Sequence, residues 1–222
     1  MSDPALTALV LLEMCTVFVL VPLIDMGRLN PLVLLVVELL TIASAVAVVS
    51  SNRAAVTALV VSFAAGFLAT ILRDVLSSRA TILIDFVTKM VFMGVLTWVV
   101  GVAVFGPGRI TAHRIWGAVA VYLQIASLFA LSYLLLLTQD PSAFEPLLEL
   151  RGPTGDILKG AHGGSQLIYF SLSTLTTVGY GDIVPVHPLA RSLANLESLI
   201  GQLFPATLLA RLVTLQLVDR QP

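Results

Sequence analysis

An all-α membrane protein is the fold class that this sequence predicts, and three observations predict it. Of its 222 residues 58% are hydrophobic and only 11% charged, more apolar surface than a water-soluble domain can hide. Apolar runs recur at 4–24, 31–50, 54–72, 81–105, 112–137 and 188–218, each near the ~20 residues that a helix needs to cross the hydrocarbon layer. The stretches between the first five, DMGRLNP at 25–31, SSNR at 50–53, RDVLSSR at 73–79 and FGPGR at 105–109, have the Gly, Pro, Asn and Ser content of turns.

The first run, MSDPALTALVLLEMCTVFVLVPLI, has no early Lys or Arg and exceeds the apolar core of a secretory signal. It reads as a retained first membrane helix. Cys15, the one cysteine, lies inside it and reads as a small hydrophobe. The first four runs predict a four-helix transmembrane bundle over residues 1–108. Within it, Glu13 and Glu38 interrupt apolar sequence, and Asp85 and Lys89 lie four apart on one face of the fourth span, where opposite charges neutralise each other. Intramembrane charges are either structural polar contacts or functional groups, and Glu13 and Glu38 are expected to face Lys89 or an arginine inside the bundle. Glu197, in the last run, is expected to bond to the back of the segment at 164–176.

The fifth run, 112–137, begins a second unit over 109–222. A polar stretch at 138–163 with Pro141, Pro146, Gly152, Pro153 and Gly155 separates it from a short apolar segment at 164–176. Thirteen residues are too few to span at ~1.5 Å each. Gly163 and Gly164 supply a break and Ser165 an N-cap, so this segment predicts a helix that enters the membrane and stops there. Such a re-entrant element survives only where protein or a watery cavity satisfies its backbone. The last run, 188–218, predicts a long inner helix.

STLTTVGYGDIVP, residues 173–185, follows the re-entrant helix. If Thr177 to Gly181 is extended with alternate residues in unusual φ/ψ regions, which Gly179 and Gly181 permit, its carbonyls turn to one side. The preceding helix then aims the partial negative charge of its C-terminus at the same place. A row of oxygens results that suits a cation, with the Thr177 hydroxyl as a further layer at the inner end.

Residues 177–181, TVGYG, followed by Asp182, are the selectivity-filter signature of potassium channels, and from the fifth span to 218 the chain resembles the pore domain of a prokaryotic potassium channel with six transmembrane helices. The resemblance implies an outer helix (112–137), a turret (138–163), a pore helix (164–176), a filter (177–181: Thr177, Val178, Gly179, Tyr180 and Gly181) and an inner helix (188–218). It also implies a homotetramer, because an axial pore needs four copies of one filter, in the lipid bilayer of a bacterial plasma (inner) membrane. K+ is the permeant ion, and no other cofactor is expected. Tyr180 fits a potassium filter, and in the family its ring packs on pore-helix aromatics, here Tyr169 and Phe170. Ser173 and Asp182 stand where the family often places a hydrogen-bonded pair, with serine in place of a carboxylic acid. Tyr169, Phe170, Ser173, Thr176 and Asp182 are therefore filter-support candidates, with ordinary helix packing as the alternative for the first three.

Gly201 follows Gly181 by twenty residues, as does the family's proposed hinge, with Pro205 one turn later. Close helix packing is the other reading of Gly201. Gln202 either lines the cavity under the filter or bonds to a neighbouring helix. Leu209, Val213 and Leu217 recur on one side and form either a dewetting gate or a lipid-facing stripe.

Voltage-gated relatives carry a row of cations in the fourth span. Lys89 alone does not make one, so strong voltage gating is not expected. No nucleophile and base, phosphate loop or metal cluster appears, and His113, His162 and His187 lack metal-ligand spacing; enzyme activity is not expected. With a net charge of −1 there is no basic footprint for nucleic acid. Lys and Arg divide nearly evenly between the two faces, so the positive-inside rule does not orient the chain; the resemblance implies a filter face outside and termini in the cytoplasm, and the acidic residues around the filter lean the same way. A weakly selective cation channel and a non-conducting potassium sensor or partner subunit are the alternative readings.

Overall fold

The computed structural model describes residues 3–30, 32–50, 52–76, 78–106, 111–146 and 162–218. The first span is a helix α1 (Asp3–Cys15), a π-helical turn Thr16–Leu20 and a short helix α2 (Val21–Asp25) in sequence. Thr16 lies at the change, its hydroxyl donating to Leu12 O at 2.8 Å. Gly27, at φ +69, reverses the chain after α2, and Arg28 N closes the turn on Leu23 O at 2.9 Å, a conformation that costs glycine little. Then follow α3 (Leu32–Val48), α4 (Arg53–Leu76), α5 (Arg79–Phe105) and α6 (Ala112–Gln139). Asn52 caps α4, its Oδ1 accepting from Ala55 N. Ser78 and Thr81 form a capping box on α5, and Thr111 accepts from Arg114 N to start α6; each satisfies backbone donors that a helix start leaves open.

Pro4–Asp25, Arg53–Leu76, Arg79–Phe105 and Ala112–Gln139 are long and apolar enough to cross a membrane. The chain is thus an all-α membrane protein with several apolar spans. Of the other two runs, α3 has 17 residues, about 26 Å, and the 31-residue final helix, α8 (Pro188–Val218), is long enough but carries Arg191, Glu197, Gln202 and Arg211.

Helix α6 is the hub: α1 and α5 pack on it from one side and the re-entrant helix α7 (His162–Leu175) from the other, while α3 leans on α1, α4 on α5 and α8 on α7. Leu6, Leu9, Val10, Leu96, Val100, Ala118 and Val121 fill the first core. Gly117 lets α6 approach closely, since a Cβ there would stand 2.6 Å from Val104 and 3.2 Å from Leu6. The second core, Phe129, Tyr133, Phe144, Leu167, Phe170 and Ala190, joins α6 to α7 and α8.

Beyond α6, Asp140 accepts from Ser142 N at 3.0 Å and Ser142 Oγ at 2.6 Å, bonds that hold its carboxyl below the usual carboxylate range. Strand β1 (Phe144–Glu145) pairs antiparallel with β2 (Val184–Pro185), Phe144 opposite Pro185, and so ties the start of the turret to the chain leaving the filter. Turret residues 147–161 lie outside the described residues.

Of the intramembrane charges, Asp85 and Lys89 pair as expected, while Glu13 does not meet a cation. Asp85, fully buried, meets Lys89 at 3.0 Å and also Arg73 of α4 at 2.7 Å, and accepts from Thr70 at 2.7 Å. Glu13 faces neither Lys89 nor an arginine: it accepts from Gln124 Nε2 of α6 at 2.5 Å. α1 packs on α6, and that places an amide where a cation was expected. Glu38 lines a cavity together with Lys89 and Ser127.

Candidate functional site

Helix α7 ends at Leu175, and from there the backbone alternates. Thr177, Gly179 and Gly181 have φ of +59, +56 and +78, while Val178 and Tyr180 between them do not take positive φ. Thr177 carries a Cβ penalty of roughly 1–2 kcal/mol for this that the glycines avoid. The amides face back to the helix: Thr177 N donates to Thr174 O at 2.9 Å, Val178 N and Gly179 N to Ser173 O at 2.9 and 3.2 Å, and Tyr180 N to Ser173 Oγ at 3.4 Å. A planar trans peptide holds its C=O opposite its N–H, so the carbonyls of Thr176, Thr177, Val178 and Gly179 point away from the pore helix as a row. The C-terminal end of α7 adds its partial negative charge beside them.

The supporting contacts divide the filter-support candidates. Asp182 is tied not to Ser173 but to Tyr169, whose hydroxyl donates to Asp182 Oδ2 at 2.8 Å, while Ile183 N donates to Oδ1. A serine is too short to reach Asp182 from position 173 and instead holds the Tyr180 amide. Tyr169 also stacks on Tyr180, centroids 5.9 Å apart and rings 8° from parallel. Phe170 does not join this stack: one residue on, it points to the opposite side of α7 and packs edge-on against Tyr133 and Phe144. The Thr176 hydroxyl turns back to Leu172 O at 2.6 Å.

Below the filter, Gln202 Nε2 donates to Thr177 Oγ1 at 3.0 Å, a residue just past the end of α7 rather than one on a neighbouring helix. Gly201 abuts the end of α7: a Cβ there would stand 1.8 Å from Leu175 O. That carbonyl accepts from Tyr122 of α6 at 2.9 Å, and Phe204 packs on Tyr122 and on Phe105 of α5. Pro205 sits inside α8 and Leu209 is exposed; the side chains of Val213 and Leu217 lie outside the described residues. Deeper in the scaffold Glu197 is hydrogen-bonded to Ser171 and accepts from Tyr133 at 2.7 Å.

Sequence reasoning passed over Tyr122, Tyr133, Ser171 and Gln124. The one signal they carry is that a hydroxyl or amide within an apolar helix needs a partner.

The comparisons with known proteins agree with this geometry. Residues 156–216 match the family model described as "Ion channel". Over 85 residues the chain is 35% identical to the inward rectifier potassium channel Kirbac3.1 of Paramagnetospirillum magnetotacticum, covering 37% of this chain and 23% of that protein. Over 127 residues it is 28% identical to Protein LctB of Bacillus caldotenax, covering 57% of this chain and 90% of that one, and the same figures hold for Protein LctB of Geobacillus stearothermophilus. No solved structure matches. The chain is thus an all-α membrane protein with an ion-channel pore domain. Its pore region is similar in sequence to an ion-channel family and to part of a prokaryotic potassium channel.

Proposed function

We propose that this protein is a homotetrameric, potassium-selective channel that conducts K+ passively across the plasma membrane, termini in the cytoplasm, without strong voltage gating and without enzymatic activity. The observation that carries the reading is the alternating backbone at Thr177, Gly179 and Gly181, with the amides of Thr177, Val178, Gly179 and Tyr180 turned to Ser173 and Thr174. Four such rows around an axis replace the hydration shell of K+ with carbonyl oxygens, and four Thr177 hydroxyls add the innermost layer, the chemistry by which potassium-channel filters in general hold their ion. Val178 and Tyr180 are 55% and 69% exposed in one chain, apolar and aromatic surface that neighbouring subunits would cover. The Asp85 cluster, with Lys89 and Arg73 on one buried carboxylate, supports a fixed bundle rather than a moving row of charges.

Native mass spectrometry of the detergent-purified protein tests the assembly: four copies of the 23.6 kDa chain are expected, and a complex of one or two copies would contradict it. Equal sodium and potassium flux in liposomes would instead favour the weakly selective channel, and a tetramer without flux the non-conducting sensor.

A further inference from the structure

Glu197 is 0% exposed, and among the described residues no cation pairs with it. Tyr133 O–H donates to its Oε2 at 2.7 Å, and its Oε1 is in hydrogen-bond contact with Ser171 Oγ. Ser171 Oγ, itself buried, also lies 2.7 Å from the backbone carbonyl of Ala126.

Counting protons decides the state of this group. A peptide carbonyl only accepts, so a hydroxyl oxygen 2.7 Å away must aim its one proton at it. The Ser171 proton is then committed to Ala126 O, and Ser171 Oγ can only accept from Glu197. If Glu197 were a carboxylate, two bare oxygens would face each other there, and an uncompensated charge would be buried. We propose that Glu197 is a neutral carboxylic acid in the folded protein and, as the proton donor to Ser171, a positioning residue that fastens the pore helix between the outer and inner helices. The chain then runs in one direction: Tyr133 O–H to Glu197 Oε2, Glu197 Oε1–H to Ser171 Oγ, and Ser171 O–H to Ala126 O. It links α6, α8, α7 and α6 again at the level of the filter support.

The elements packed on α8 are α6, α7 and β2. The titratable groups that they turn toward Glu197 are the phenols Tyr133 and, farther away, Tyr122; α7 presents the Ser171 hydroxyl, and Val184–Pro185 present nothing titratable. No partner on these faces favours the ionised form by opposite charge. In the unfolded chain an exposed glutamate is ionised at neutral pH, so the folded state holds one more proton than the unfolded state. Stability then falls as pH rises.

The test is an infrared difference spectrum of the purified protein, wild type minus Glu197→Gln, together with thermal melting of both and of Glu197→Ala from mildly acidic to alkaline pH. Glutamine can donate to Ser171 and accept from Tyr133 as the neutral acid does. A carboxylic-acid C=O band present in wild type and missing from Glu197→Gln is expected, with a melting temperature that drops at alkaline pH more in wild type than in Glu197→Gln. Glu197→Ala should melt lower throughout. Loss of a carboxylate band instead, or a Glu197→Gln protein that misfolds or melts as low as Glu197→Ala, would overturn the proposal. Neither readout involves ion flux, so the outcome is separate from the conduction reading.

Discussion

Gly201 of the inner helix lies directly on the Leu175 carbonyl that ends the pore helix: a Cβ at 201 would stand 1.8 Å from that oxygen and 2.7 Å from its carbon. The obstacle is backbone, pinned further by the Tyr122 hydroxyl, and cannot swing aside. Gly201→Ala is therefore expected to push the inner helix off the pore helix, at an overpacking cost of ~1–3 kcal/mol per chain. Thermal melting checks this. A variant that melts with wild type and changes only its opening would return Gly201 to the role of hinge.

Ser173 is the one side chain that holds a filter amide among the described residues, accepting from Tyr180 N, while its backbone carbonyl serves Val178 and Gly179. Ser173→Ala should remove the first contact and leave the others, a loss of about 1 kcal/mol. Potassium flux that starts at the wild-type rate and decays sooner is the expected result in a time course, and an unchanged decay would show that the contact does not hold the filter.

Tyr169 separates stacking from hydrogen bonding. Tyr169→Phe keeps the stack on Tyr180 and loses the bond to Asp182; because water reaches both partners, the loss is expected to be small. Tyr169→Leu loses both contacts. Selectivity for potassium over sodium should fall further in the leucine variant than in the phenylalanine variant, and the reverse order would place the weight on the Asp182 tie.

How much of this the sequence disclosed depends on the range of the interaction. The apolar helices, the short helix α7 and the alternating backbone after it are legible because they rest on local quantities: run length, glycine placement, and turn composition. Which polar groups meet is decided by how helices rotate about one another, which no run length records. Ser173 and Asp182 are a pair by position, yet the short serine reaches only the Tyr180 amide and the longer Tyr169 takes Asp182. Glu13 meets Gln124 for the same reason, since α1 turns that face to α6. Phe170 leaves the filter for the second core because adjacent helical residues point about 100° apart.

Asp85 is fully buried and carries two cations, Arg73 and Lys89. Asp85→Asn should leave Lys89 without its anion and Arg73 with only the exposed Asp74, at up to ~3–5 kcal/mol. Asp74→Asn, at the exposed side of Arg73, should cost roughly 0–1 kcal/mol. Melting of the two variants side by side checks the contrast; similar losses would mean that the buried cluster is not holding α4 to α5.

Gly179→Ala addresses the filter itself. Among the described residues nothing beyond its chain neighbours lies within 4 Å of an added Cβ there, so its penalty is conformational, from φ +56, at ~1–2 kcal/mol per chain. Selectivity or conduction should be lost while the protein still folds and melts only modestly below wild type, and wild-type selectivity in this variant would sink the filter assignment.

The central claim is that the filter backbone at 177–181, with its row of carbonyls, conducts potassium in preference to sodium. It is tested most directly in liposomes carrying the purified protein, with efflux driven by a potassium gradient and then by an equal sodium gradient. Potassium flux that barium blocks, with sodium flux near the level of empty liposomes, is the predicted result. Equal flux of the two ions, or none of either from correctly assembled protein, would contradict it.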